Sequence, residues 1–319
     1  MPLFEMSLEQ MLTYQGRNER PQDHKAYWDR AVKEMHSMGT QAKLSPARFT
    51  APGLECFDLY FTGVGGAQVY AKLLRPKDAD NCPAVVRFHG YAGSSGDWVN
   101  YVSYAQSGFV VAALDSRGQG GQSEDMGSVK GNTYHGQIIR GLDDPDPDKL
   151  LTRALFLDAA QLARVVMDLP YVEASRVGAT GGSQGGALTL ACAALEPRIK
   201  RLAPTFPFMC DYRRVWEMDL AVGAYAELRD YFRWFDPQHK REAEVFTKLG
   251  YVDLQHLAHR IKGETLMSIG LMDTICPPST QFAAYNKITA KKRYELWPDF
   301  GHEALPGNDD LIFEFMLGL

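Results

Sequence analysis

The sequence predicts a doubly wound α/β fold, and three observations carry that prediction. Short, mostly apolar runs flanked by glycine recur along the chain, as strands covered on both faces of a parallel sheet do. Amphipathic stretches at helical spacing fill the gaps between those runs. No internal repeat, low-complexity tract or Gly/Ser linker divides the 319 residues, so one domain is expected over 1–319. A composition of 45% hydrophobic and 23% charged residues excludes a disordered, collagenous or coiled-coil chain.

The elements follow in order. Leu8, Met11 and Leu12, then Tyr27, Trp28 and Val32, recur at helical spacing between Ser7 and about Met38. They predict a helical N-terminal extension, residues 1–50, packed on the body or on a neighbouring subunit. From Glu55 the pattern alternates: Cys56, Leu59 and Phe61, then Val69, Ala71 and Leu73, around Gly63, Gly65 and Gly66. That is the pattern of a β-hairpin. Buried parallel strands are predicted at Ala84–Phe88, Phe109–Leu114, Arg176–Thr180, Ile199–Ala203 and Leu266–Ile269, with a further strand at Tyr294–Trp297. Leu151 to Val166 and Leu188 to Leu195 read as helices. Residues 211–262 break the rhythm with helical, aromatic-rich sequence (Trp216, Tyr225, Tyr231, Phe232, Trp234, Phe235) between predicted strands, and a cap insertion is expected there.

Charge and composition narrow the partners. Thirty-four Lys plus Arg against 39 Asp plus Glu give −5, and the densest basic cluster, Lys291-Lys292-Arg293, reads as a solvated helix end or start of a strand. A nucleic-acid partner is therefore not expected. The N-terminus lacks the basic and apolar regions of a signal peptide, and apolar runs fall short of the ~18 residues of a membrane span. The expectation is a cytoplasmic protein with no membrane partner. Cys56, Cys82, Cys192, Cys210 and Cys276 are scattered without C-x-x-C or zinc spacing, and are expected to be buried thiols. Neither a metal nor a cofactor is expected, and His135, His239, His256 and His259 read as ordinary surface or core residues.

The chemistry concentrates in Gly181-Gly182-Ser183-Gln184-Gly185-Gly186, a G-x-S-x-G placed after a predicted strand and before a helical run. Flanking glycines let the chain bend sharply and hold the serine up as a nucleophile, although a serine capping a Gly-rich helix start would look similar. Chain order strengthens the first reading. Gly270-Leu271-Met272-Asp273 follows a strand, and Asp299-Phe300-Gly301-His302-Glu303 follows the last one. A hydroxyl needs a base, so His302 would take the proton of Ser183 and Asp273 would hold the imidazole. Glu303 and Asp299 are the alternative acids; Glu303, adjacent to His302, is expected to fix the loop. Oxyanion donors are expected at the backbone N–H of Gln184 and, from the His89-Gly90-Tyr91-Ala92-Gly93 loop, of Tyr91. His89 is expected to shape that loop. In Asp115-Ser116-Arg117-Gly118-Gln119, Arg117 is expected to clamp backbone carbonyls or Asp115 near the site; a phosphate loop would need the missing Lys-Ser/Thr ending.

Together these segments resemble carbohydrate esterase family seven, the acetyl xylan esterases and cephalosporin C deacetylases of the α/β-hydrolase superfamily. Its R-G-Q segment, G-x-S-Q-G elbow and H-E pair are matched by Arg117-Gly118-Gln119, Gly181 to Gly185 and His302-Glu303. Met1 to Leu12, His89-Gly90-Tyr91, Gly270 to Asp273 and Pro277 to Thr280 are similar to the family as well, while Asp146 to Arg153 departs from it. The resemblance implies Ser183, Asp273 and His302 as the triad, Tyr91 and Gln184 as the oxyanion hole, and hydrolysis of small acetyl esters, with acetylated xylo-oligosaccharides and cephalosporin C as examples. It also implies a homohexamer with its active sites facing an internal cavity. Two other readings stay open: a serine peptidase of the prolyl-oligopeptidase kind, and a non-catalytic hydrolase-fold protein.

Overall fold

Apolar runs this short can be buried on both faces only inside a covered sheet, and the structure, a computed structural model describing residues 5–133 and 136–319, has one. Its nine strands are β1 (Ala42–Pro46), β2 (Leu54–Thr62), β3 (Gln68–Pro76), β4 (Cys82–Phe88), β5 (Val110–Leu114), β6 (Val172–Gly182), β7 (Arg201–Thr205), β8 (Glu264–Gly270) and β9 (Lys292–Trp297). They lie in the order β1-β2-β3-β5-β4-β6-β7-β8-β9. β1, β2 and β3 pair antiparallel, β3 is antiparallel to β5, and the remaining pairs are parallel. This is the α/β-hydrolase fold. β4 and β6 are neighbours, Phe88 opposite Gly181, yet the chain leaves β4 toward β5 and leaves β6 toward β7. Such a divergence opens a crevice at the carboxyl ends of the two strands.

The elements near that crevice form where the sequence predicts them. β5 is buried at every position, and the helix Leu151–Met167 is buried on nearly all sides, Leu155, Phe156 and Leu162 lying in the core. The N-terminal extension differs. The predicted helical stretch is two helices, Leu8–Thr13 and His24–Ser37, interrupted where Gly16 takes φ 82° and Pro21 precedes the second helix. Residues 42–46, expected within the helical extension, form the edge strand β1 instead, because the five residues find a ladder on β2, Ala42 opposite Phe61. The strand expected at Ile199–Ala203 starts two residues later, Ile199 closing a turn onto the Glu196 carbonyl.

The extension packs on the body. Tyr27, Trp28, Ala31 and Met35 are fully buried, the Trp28 ring stacks 6.0 Å from Phe156, and its indole N–H donates to the Tyr251 carbonyl at 2.7 Å. The cap comprises the helices Tyr212–Glu217, Ala226–Phe235 and Glu242–Leu249, followed by short 3-10 turns. Trp216 sits among Phe232, His239 and Phe246 within it, and Trp98 stacks on Phe49, so both tryptophans are occupied in packing. Extension and cap meet at Asp211. Its buried carboxylate accepts the backbone N–H groups of Arg17 and Asn18 at 2.8–3.0 Å and the Tyr14 hydroxyl at 2.7 Å.

All five cysteines are free and buried. Lys292 opens β9, and the neighbouring Lys291 ammonium is largely exposed and pairs with Glu264 at 2.7 Å, as expected of a solvated strand start. His256 is buried against the Asn18 carbonyl, and the expectation for His135 lies outside the described residues. Among the described residues no helix is long and apolar enough to cross a membrane.

Candidate active site

The elbow after β6 is built by close backbone approach. A Cβ on Gly181 would lie 2.5 Å from the Phe88 carbonyl oxygen, one on Gly186 would lie 2.6 Å from the Thr205 carbonyl oxygen, and Gly185 is pressed against Phe88 as tightly. Ser183, between these glycines, is held at φ 60° and ψ −120°, a region that side chains of L-residues avoid. Backbone bonds fix it there: its N–H donates to Thr205 at 3.0 Å, and its carbonyl accepts from Ala187 at 2.9 Å and Phe208 at 3.1 Å. The side chain consequently stands clear of the helix Gln184–Leu195. It makes no capping bond, which removes the helix-cap alternative.

Three side chains far apart in sequence meet at this serine. The Ser183 hydroxyl lies 3.0 Å from His302 Nε2, and His302 Nδ1 lies 2.8 Å from Asp273 Oδ2. Asp273 follows β8 and is fully buried; its second oxygen accepts the N–H groups of Ile275 and Cys276 at 2.8 Å each. Those two bonds aim the other oxygen at the imidazole. His302 follows β9, and its side chain is 21% exposed, with the Phe206 ring 4.5 Å away. Glu303 faces elsewhere, accepting the Gly301 N–H at 3.0 Å. Of the carboxylates considered for the imidazole, Asp273 is the one bonded to it.

The residues expected to serve the oxyanion lie at the start of the helix that follows Ser183 and in the loop after β4. Gln184 is the first residue of its helix, so its backbone N–H has no acceptor inside the helix. Tyr91 lies in the loop after β4, which turns through a Gly93 N–H to Gly90 carbonyl bond and Ala92 at φ 57°. His89 organises this turn. Its Nε2 accepts the Ser116 N–H at 2.9 Å and Nδ1 lies 2.7 Å from the Gly90 carbonyl, so the proton belongs on Nδ1; burial lowers the imidazole's proton affinity and keeps it neutral. The loop after β5 supports both donors. Gly120 N–H donates to Gly93 at 2.9 Å, and the Gln119 and Gln184 side-chain amides exchange two bonds of 2.9 Å.

Arg117 is a buried clamp, but its partner is not Asp115. Its guanidinium makes two parallel bonds to Asp158, at 2.6 and 2.7 Å, and one to the Val64 carbonyl at 3.2 Å. Asp115 instead accepts the N–H groups of Ser95 and Gln122. Asp158 escaped the sequence reading although it left a signal: a lone carboxylate in the apolar helical run Leu155 to Ala160 requires a cation partner. Glu227 was missed with no such signal. It is 4% exposed, on the cap helix Ala226–Phe235, and the Tyr91 hydroxyl donates to it.

Among the described residues one group of side chains approaches metal-ligand spacing, Asp273, Cys276 and His302, with ligand atoms within 4.8 Å of one another. Its donors suit the serine better than an ion. Asp273 and His302 are spent on each other and on Ser183, and burial raises the Cys276 thiol well above its usual range, against the thiolate a metal needs.

This arrangement can pass a proton from a serine hydroxyl to an imidazole steadied by a buried carboxylate, beside backbone donors at a helix start. Known proteins resemble the chain over most of its length. The structure matches acetyl xylan esterase 1 from Thermoanaerobacterium sp. JW/SL YS485 with a TM-score of 0.96 and 54% identity, covering 98% of this chain and 99% of that one. Acetyl xylan esterase from Paenibacillus sp. R4 matches with a TM-score of 0.93 and 33% identity, over 98% and 99%. Acetyl esterase Axe7A of Xylanibacter ruminicola is 26% identical over 285 residues, which cover 87% of this chain and 62% of the longer relative. The family model described as acetyl xylan esterase (AXE1) spans residues 1–319, and the chain belongs to that family of carboxylic ester hydrolases.

Proposed function

We propose that the chain is a serine esterase that removes acetyl groups from acetylated xylo-oligosaccharides and other small acetyl esters, cephalosporin C among them, through an acyl-enzyme on Ser183. The hydrogen-bonded chain Ser183–His302–Asp273 carries the proposal. His302 Nε2 takes the hydroxyl proton as Ser183 Oγ attacks the ester carbonyl; the imidazolium then protonates the departing alkoxide, leaving acetyl-Ser183. Water, deprotonated by the same nitrogen, attacks the acyl-enzyme; the second intermediate collapses, the imidazolium returns its proton to Ser183 Oγ, and acetate leaves. Both tetrahedral intermediates place their oxyanion toward the N–H groups of Tyr91 and Gln184, where fixed donors are worth several kcal/mol. Gln119, Arg117 and Glu303 act by holding those loops in place.

Chain-length dependence tests the acyl half of the proposal. Esterase activity on p-nitrophenyl acetate is expected to exceed that on the octanoate by at least ten-fold in kcat/KM, and equal rates on the two would remove acetyl specificity. A prolyl anilide cleaved as fast as the acetate would favour the peptidase reading instead. The same reading extends to assembly and location. A homohexamer is proposed on the family resemblance, and sedimentation at about six times the 35.6 kDa chain mass checks it. Five free buried thiols support a reducing, cytoplasmic setting, and the continuous nine-stranded sheet supports one domain over 1–319.

A further inference from the structure

Glu227 occupies a position that folding of the cap alone does not explain. One carboxylate oxygen accepts three successive backbone N–H groups, those of Gln137, Ile138 and Ile139, at 2.6, 2.7 and 3.2 Å. The preceding residue, Gly136, has to be a glycine, because a Cβ there would collide with that oxygen and lie 2.5 Å from Ile139 Cγ1. The other oxygen receives the Tyr91 hydroxyl. A single side chain from the cap therefore ties the segment 136–139 to the loop that carries the Tyr91 N–H. Gln137 continues the connection, its side-chain amide donating at 3.0 Å to the Gly118 carbonyl, next to the Gln119 that holds Gln184.

The Tyr91 ring packs against the main core, and its hydroxyl is held by Glu227. The residue is partly exposed, and among the described residues its aromatic neighbour is Phe208, edge-on at 6.1 Å. The adjacent backbone, with Ala92 at φ 57°, sits in a sparsely populated region that needs outside support. A hydrogen bond from the far end of the ring to a buried, multiply bonded carboxylate supplies that support. Phe208, packed on Tyr225 at 4.2 Å, limits the ring from the other side.

We propose that Glu227 is a positioning residue for the oxyanion, acting through the Tyr91 hydroxyl to fix the Tyr91 backbone N–H. The cap thereby contributes to the rate as well as covering the site. This rests on the reading of Tyr91 as an oxyanion donor. It differs from a purely structural role for Glu227 in one measurable respect: loss of the Tyr91–Glu227 bond changes transition-state binding and leaves ground-state binding and the fold alone.

The decisive variant is Tyr91→Phe in the full-length enzyme, since it removes one hydroxyl and leaves the three backbone bonds of Glu227 intact. On p-nitrophenyl acetate kcat is expected to fall about 5–30-fold, less than the 10²–10³ cost of deleting a donor outright, with KM within two-fold and unchanged thermal unfolding. Affinity for a trifluoromethyl ketone, whose serine adduct carries the oxyanion, is expected to fall by the same factor. Glu227→Gln, which reverses the polarity of the bond to Tyr91, is expected to act in the same direction. The double variant is expected to be no slower than the slower single one, because both break the same bond. Wild-type kcat and inhibitor affinity in Tyr91→Phe would overturn the proposal, as would fully additive effects. Ser183→Ala separates the two readings: if it is inactive while Tyr91→Phe is unimpaired, the positioning role fails and the esterase mechanism stands; if Ser183→Ala stays active, the mechanism itself fails.

Discussion

Asp273 at the sheet edge and Glu227 in the cap are the same physical device used in two regions. Each is a buried carboxylate with one oxygen saturated by backbone N–H groups and the other turned to a single side-chain donor, His302 in one case and Tyr91 in the other. They differ in reach. Asp273 draws its backbone donors from two and three residues further along its own loop, whereas Glu227 draws them from a segment about 90 residues earlier in the chain. Asp211 belongs with Glu227, since its donors are the N–H groups of Arg17 and Asn18. A carboxylate that organises its own loop can be recognised from local sequence. One that joins two distant segments cannot, because nothing in either segment specifies the other.

The contrast predicts different consequences for rate and for stability. Ser183→Ala gives the largest effect, a loss of about 10⁴–10⁶-fold in kcat with the fold retained, measured on p-nitrophenyl acetate. More than a tenth of wild-type activity would remove Ser183 from its role. Asp273→Asn is expected to cost about 10⁴-fold in kcat by permitting the wrong imidazole tautomer, with Glu303→Gln within a few-fold of wild type. The reverse pattern would transfer the acid role to Glu303.

Asp211→Asn is expected to act on stability instead, lowering the unfolding free energy by about 2–4 kcal/mol in urea because charge-assisted bonds to the Arg17 and Asn18 backbone are weakened. A large drop in kcat at full stability would erase the distinction between joint and site. Acid provides a milder perturbation of the same joint. His24 and His256, with ring centroids 5.8 Å apart, are buried, and burial lowers both to about 3. The unfolded chain binds protons at these imidazoles near pH 6.5 and the folded one does not, so their contribution to stability is complete above that pH and is lost progressively as pH falls toward 3. Neither ring nitrogen of His24 has a hydrogen-bond partner among the described residues, and His24→Phe is expected to flatten the acid limb of stability against pH without loss at pH 8.

The parallel strands and their helices were legible because burial on two faces forces a recognisable composition, and the site was legible because its three side chains each follow a strand. Edge elements were not. Strand β1 depends on a ladder offered by β2, and nothing within residues 42–46 distinguishes it from coil. Of the two partners expected for Arg117, a backbone carbonyl is found at Val64 and Asp115 is not: nearness in sequence suggests Asp115, while the bidentate geometry that a guanidinium favours is met at Asp158, across the fold. Where the chemistry is local, residue type and order suffice; where it spans elements, the partner is chosen by packing.

The conformation of Ser183 sets activity against durability. A backbone held at φ 60° and ψ −120° costs about 1–3 kcal/mol for any residue with a Cβ, and the surrounding bonds to Thr205, Ala187 and Phe208 must outweigh it. Ser183→Gly is therefore expected to melt above Ser183→Ala, because glycine adopts that backbone without strain. An enzyme selected for thermal endurance alone would discard the side chain at this position first.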